Sequence, residues 1–132
     1  MNLEDFKKRM VQSRWDPKTL EIAIRARFIC EYCGCEFYSS VNYYESIQID
    51  HIIPKKYGGN DTSNNLALVC RTCNFIKRNW NPGKNQTKRL TRKELLEITR
   101  TYLTSKRKEK EERMLYEANL VRKILNISIE DK

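Results

Sequence analysis

The 132-residue chain predicts an α+β fold: a small strand–loop–strand–helix core held by a metal clamp, flanked by an N-terminal helix and a long C-terminal helix. Three observations carry this prediction. Two Cys-x-x-Cys pairs, Cys30/Cys33 and Cys70/Cys73, lie on separate segments, apolar runs bracket a loop rich in Gly and Asn, and a capping signal opens a long helical pattern. Hydrophobic residues make up 39% of the chain and charged residues 33%, so the core is modest and a structural metal would supply the missing staple. The length suits one compact unit, read as a core with its helix over 1–80, a basic linker over 81–90 and a helical extension over 91–132.

Phe6, Met10 and Val11 stand at helical spacing, and Asp16-Pro17 then offers an N-cap followed by proline in the first turn. A helix from about Pro17 to Phe28 follows, with Leu20, Ile22, Ala23, Ile24 and Phe28 as its core face. A segment rich in Tyr and Ser leads to Ser46–Ile52, whose alternating polarity reads as a half-buried strand closing on Asp50 and His51. Pro54, Gly58, Gly59, Asn60 and Asp61 signal a loop. Asn65–Val69 reads as a second strand and Cys70–Asn79 as a short helix. Thr91-Arg92-Lys93-Glu94 has the capping-box pattern and opens the long helix. Two apolar stripes follow, Leu95, Leu96, Ile98, Tyr102 and Leu103, then Met114, Ala118, Val121 and Leu125, separated by the wholly polar run Lys106–Arg113.

The formal net charge of +9 favours a polyanionic partner, with nucleic acid foremost. The first residues lack the apolar core of an export signal, and no apolar run approaches the roughly 20 residues of a membrane span. The expectation is a soluble cytoplasmic protein with no membrane partner, in whose reducing surroundings thiolates bind metal in preference to forming disulfides.

Four thiolates at this spacing suit the closed tetrahedral ligation of Zn²⁺ by Cys30, Cys33, Cys70 and Cys73, a structural rather than catalytic site. The fifth cysteine, Cys35, is either a free thiol or a replacement for Cys33. His51 is the one histidine; it follows a carboxylate at a strand end, between the two cysteine pairs. Cleaving a phosphodiester needs a base to activate water and a cation to neutralise charge, and an imidazole beside carboxylate and amide oxygens provides for both. Because strand residues alternate, Asp50 and His51 need a local bend to serve one site.

Cys30-x-x-Cys33-Gly34, Ile49-Asp50-His51-Ile52-Ile53-Pro54, Gly58-Gly59, Asn65-Leu66 and Cys70-x-x-Cys73-Asn74-x-x-Lys77 together resemble the HNH endonuclease family, over roughly Cys30 to Arg78. The resemblance implies a ββα-metal core in its H-N-N variant. His51 would be the general base, Asp50 and Asn74 would hold a catalytic Mg²⁺ or Mn²⁺, and Asn65 would pin the loop and orient the histidine. Asn74 departs from the many members that carry a second histidine there, which leaves the metal preference open. Lys77 matches a basic residue that contacts phosphate, or is a solvated helix lysine; Glu31 is a further carboxylate near the cysteines.

Between Arg71 and Lys93 there are eight basic residues and no acidic one, so Arg71, Lys77, Arg78, Lys84, Lys88 and Arg89 are the expected phosphate contacts, and the resemblance implies that the partner is DNA, double-stranded by preference. Trp80 is expected to cap the core rather than enter a groove. The two stripes could pack on the core or on a second copy, which would make a homodimer through the C-terminal helix. Residue types alone leave two other classes open, a zinc-ribbon nucleic-acid-binding module without chemistry and an adaptor that recruits a partner through its C-terminal helix.

Overall fold

Side-chain caps set where the helices begin. The computed structural model describes residues 1–84 and 88–130, with side chains described to residue 126. Helix α1 (Leu3–Ser13) starts where Asn2 accepts the Asp5 amide, and α2 (Pro17–Arg25) where Asp16 accepts that of Thr19. Leu20, Ile22 and Ala23 of α2 are buried. This helix stops short of the expected end at Phe28, because Arg27 (φ 59°) and Phe28 (φ 58°) turn left-handed. Aromatic packing holds that strained turn: the Phe28 ring meets Phe6, Trp15 and Tyr38 edge-on with centroids 6.1, 5.6 and 5.9 Å away.

From there the chain makes a cysteine knuckle, Ile29 pairing with Glu36 while the Cys30 amide donates to the Cys35 carbonyl at 2.9 Å. A short helix, α3 (Val41–Tyr44), capped by Ser40, occupies the Tyr- and Ser-rich segment, where the sequence suggests no element. Strands β1 (Ile47–His51) and β2 (Leu66–Cys70) pair antiparallel, with Ile47 opposite Cys70 and His51 opposite Leu66. Every residue of β2 is buried, whereas β1 buries only Asp50. Helix α4 (Arg71–Lys77) follows directly and ends at Arg78, whose φ of 49° breaks the helical run.

Helix α5 (Arg92–Glu130) opens with the reciprocal bonds its sequence signals: the Glu94 amide donates to Thr91 Oγ1 and the Thr91 amide to Glu94 Oε1, both at 3.1 Å. Leu95, Leu96 and Leu103 share one hydrophobic cluster with Ile52, Leu68 and Phe37, so the first turns of α5 belong to the core. Trp80 stacks flat on Tyr102 at 3.9 Å, against this same helix. Met114, Val121 and Leu125 of the second stripe are exposed. Of the expected linker at 81–90, residues 85–87 lie outside the described residues. Among the described residues, no helix is long and apolar enough to cross a membrane.

Candidate metal centre and active site

The knuckle brings the first cysteine pair to the β2–α4 junction, where the second pair sits. Sulfurs of Cys33 and Cys70 are 3.8 Å apart, matching the edge of about 3.8 Å that four Zn–S bonds of about 2.3 Å define. Backbone amides aim at the sulfurs: Cys33 N and Cys70 N to Cys30 Sγ (3.4 and 3.3 Å), and Cys73 N to Cys70 Sγ (3.4 Å). The thiols of Cys30, Cys33, Cys35 and Cys70 lie within 4.8 Å of one another, and the free Cys73 thiol, buried beside them, is pushed up in pKa by its thiol neighbours. Five thiols thus crowd a place where the spacing suggested four. Bonds among the thiols, that from Cys33 foremost, pull Cys30 down to about 6. Cys70, bonded foremost to Cys30, also falls to about 6, whereas burial pushes Cys35 up. Arg107 of α5 reaches over the cluster, its Nη2 being 3.2 Å from Cys73 Sγ and 3.7 Å from Cys70 Sγ. A cluster of soft sulfur donors with a guanidinium above it can hold a metal ion.

A second group lies between β1 and α4. Gln48 and Asp50 are two apart on the strand, and they meet Asn74 and Lys77, three apart on the helix. Asn74 Nδ2 donates to Gln48 Oε1 at 2.6 Å, which leaves the Asn74 carbonyl oxygen for another ligand. Asp50 is buried, and its Oδ2 accepts from the Tyr32 hydroxyl at 2.6 Å and from Lys77 Nζ at 2.9 Å. Its Oδ1 has no partner among the described residues. Two hard oxygen donors therefore remain, a set that fits Mg²⁺ or Mn²⁺ keeping most of its waters. Among the described residues Asp50 and Asn74 share no hydrogen bond; each is held by its own neighbour.

Lys77 is placed differently from the expectation of a phosphate contact. Its side chain is fully buried, and the ammonium also donates to the His51 carbonyl at 3.1 Å. Burial lowers its pKa, with Asp50 opposing. Lys77 falls one helical turn after Asn74, which puts it on the face packed against β1.

His51 is partly exposed where Asp50 is buried, and the two side chains have different partners. Its Nε2 lies 2.7 Å from Asp61 Oδ1, a loop carboxylate that the sequence reading did not single out. The hydrogen bond to His51 is the main reason the Asp61 carboxyl sits below its usual pKa. Asn65 ties the loop shut, accepting from Ile53 N at 2.9 Å and donating to Ile53 O and Asn60 O at 3.0 Å each. Gly59 is required there, since a Cβ would lie 1.7 Å from Ile53 O. Glu31 faces away from any metal role, pairing with Arg92 at 2.8 Å and accepting the Leu68 amide at 2.8 Å.

On the surface, Arg71, Arg78, Lys84, Lys88 and Arg89 are exposed. Arg78 lies 4.9 Å from the centre of the exposed Phe75 ring, and Lys88 and Arg89 rim a cavity of about 260 Å³ with Gly59, Asn60, Asn65 and Arg92. Comparison with protein families matches residues 30–79 to the HNH endonuclease family model. No curated protein and no solved structure matches the chain.

Proposed function

We propose that this chain, which carries an HNH endonuclease domain over residues 30–79, hydrolyses phosphodiester bonds of DNA with His51 as general base. The observation that carries the reading is the state of the histidine: it is partly exposed at a strand end, one ring nitrogen engaged by Asp61 and Nδ1 without a partner among the described residues. His51 Nδ1 takes a proton from water as the water oxygen forms a new bond to phosphorus. The bond from phosphorus to the departing ester oxygen breaks, and that oxygen leaves with the electron pair and gains a proton from solvent. A divalent ion, Mg²⁺ first and Mn²⁺ next, held by the free oxygens of Asp50 and Asn74, would neutralise charge on the phosphate and the departing oxygen.

Lys77 and Tyr32 hold one Asp50 oxygen inside, so that the other is presented in a constant direction. Asn65 holds the loop that faces His51. Zn²⁺ on Cys30, Cys33, Cys70 and Cys73 would be structural, joining the knuckle to the start of α4. Arg71, Arg78, Lys84, Lys88 and Arg89 would meet the phosphate backbone, and the exposed stripe of α5 would pair two copies, placing two cutting sites on one duplex.

The test is incubation of supercoiled plasmid with the full chain in Mg²⁺, Mn²⁺ or EDTA, alongside His51→Ala. Nicked or linear product that disappears with EDTA and in the variant supports the reading, linear product pointing to a dimer. No cleavage, with salt-sensitive plasmid binding, overturns it in favour of a binding module without chemistry.

A further inference from the structure

We propose that Asp61 is a positioning residue for His51: its carboxylate accepts the Nε2 proton, fixes the ring tautomer and turn, and thereby presents the Nδ1 lone pair to the attacking water. The inference rests on the reading of His51 as the base. A neutral imidazole has one donor and one acceptor nitrogen, and an ionised carboxylate only accepts, so a 2.7 Å contact between Nε2 and Asp61 Oδ1 assigns the proton to Nε2. Nδ1 is then the nitrogen with a free lone pair. The carboxylate also stabilises the imidazolium that forms when Nδ1 takes the proton of water.

The loop around Asp61 is built to keep the carboxylate there. Asn60 Oδ1 accepts from Thr62 N at 3.2 Å and from Thr62 Oγ1 at 2.7 Å, so the residues on either side of Asp61 are bonded to each other. Asn65 holds the Asn60 carbonyl at 3.0 Å, and Lys18 holds that of Asp61 at 3.2 Å. Lys55 Nζ is 3.1 Å from the same Oδ1 that meets the histidine. Both backbone and carboxylate are thereby constrained, although the Asp61 side chain is 60% exposed. A role confined to loop structure would need only the Lys55 pair; orienting His51 needs the imidazole contact.

The two roles separate in the zinc-loaded full chain with Asp61→Ala, Asp61→Asn, Lys55→Met and His51→Ala. Because the chain has one histidine, ring ¹H–¹⁵N spectra report on it without ambiguity. In alkaline buffer the wild type is expected to show an Nε2–H protected from exchange and an unprotonated Nδ1, and Asp61→Ala to lose that protection. In plasmid cleavage, Asp61→Ala should lower kcat by about 10–100-fold with KM little changed, Asp61→Asn should recover part of the loss, and Lys55→Met should lose clearly less than Asp61→Ala does. Ring spectra alike in wild type and Asp61→Ala, a wild-type proton on Nδ1, or equal losses in Lys55→Met and Asp61→Ala would each overturn the proposal. A wild type that cuts no better than His51→Ala would instead defeat the nuclease reading, and Asp61's catalytic purpose with it, whatever the spectra show.

Discussion

Replacing Lys77 by methionine keeps the length and most of the packing of the side chain but deletes the ammonium that Asp50 faces at 2.9 Å. That pair is almost dry, with the lysine side chain 0% and the aspartate 10% exposed, and the Tyr32 hydroxyl would be the one remaining partner of Asp50 among the described contacts. Removing one member of a buried pair typically costs about 3–5 kcal/mol, because the other charge is left in the interior. At a urea slope of about 2 kcal/mol/M, the unfolding midpoint of the zinc-loaded chain should fall by about 1.5–2.5 M. Adding Asp50→Asn to Lys77→Met should restore most of the loss, since neither charge then remains. The lowered pKa of Lys77 sharpens this: the unfolded chain binds that proton more tightly than the folded one, so the lysine's own term in stability rises with pH between its lowered value and 10.5. A pair that brings its lysine little stability is better explained by where it holds the Asp50 oxygen. Chemical denaturation of the wild type, both single variants and the double variant closes the cycle. A midpoint for Lys77→Met within about 0.5 M of wild type, or strictly additive effects, would refute the argument.

If Zn²⁺ sits on the cysteines as proposed, its removal should abolish the cooperative thermal transition, since zinc binding of about 10–16 kcal/mol is as large as a domain's whole stability; metal analysis and circular dichroism after chelation check this. Cys35→Ser should keep one zinc per chain, whereas Cys73→Ser should lose affinity, as read by competition with a chromogenic chelator. Gly59→Ala should cost about 1–3 kcal/mol and reduce cleavage sharply, because its Cβ would fall 1.7 Å from Ile53 O and displace the loop that carries Asp61; thermal melts and plasmid nicking measure both. Alanine at Arg78 or Lys88 should weaken duplex binding without regard to sequence and lower the log–log salt slope by about 0.9 for each phosphate contact removed, which fluorescence anisotropy across a salt series tests.

What was legible in the chain was what local chemistry decides. Asp16-Pro17 and Thr91–Glu94 mark helix starts because a cap needs only residues within one turn of it, and both caps form. The two strands show because one is alternating and the other wholly apolar, and the cysteine pairs because their spacing is itself the geometry of a knuckle. What stayed hidden depends on partners distant in sequence. Phe28 continues the apolar face of α2, yet its ring is claimed by Phe6, Trp15 and Tyr38, and the helix stops before it. Cys35 joins the sulfur cluster through a turn whose backbone bond runs to Cys30, and Arg107 reaches it from far along α5.

Lys77 and Asp61 show the limit most directly, because each was visible as a residue and neither as a contact. Lys77 stands in the helical row of Asn74, so any helix that turns Asn74 toward β1 must turn Lys77 inward as well; that signal was present, and the lysine's charge argued against it. Asp61 left no such signal, since a carboxylate in a loop of Gly and Asn reads as solvated. The closing bonds of Asn65, with those of Lys18 and Lys55, hold it at the histidine. On the proposed reading Asn65 acts on His51 through the loop: it holds Asn60, Asn60 holds Thr62, and the Asp61 carboxylate lies between them. Substituting Asn65 should therefore disturb the same ring spectra as Asp61→Ala while also lowering the melting temperature, whereas Asp61→Ala should change the spectra with the melting temperature little moved.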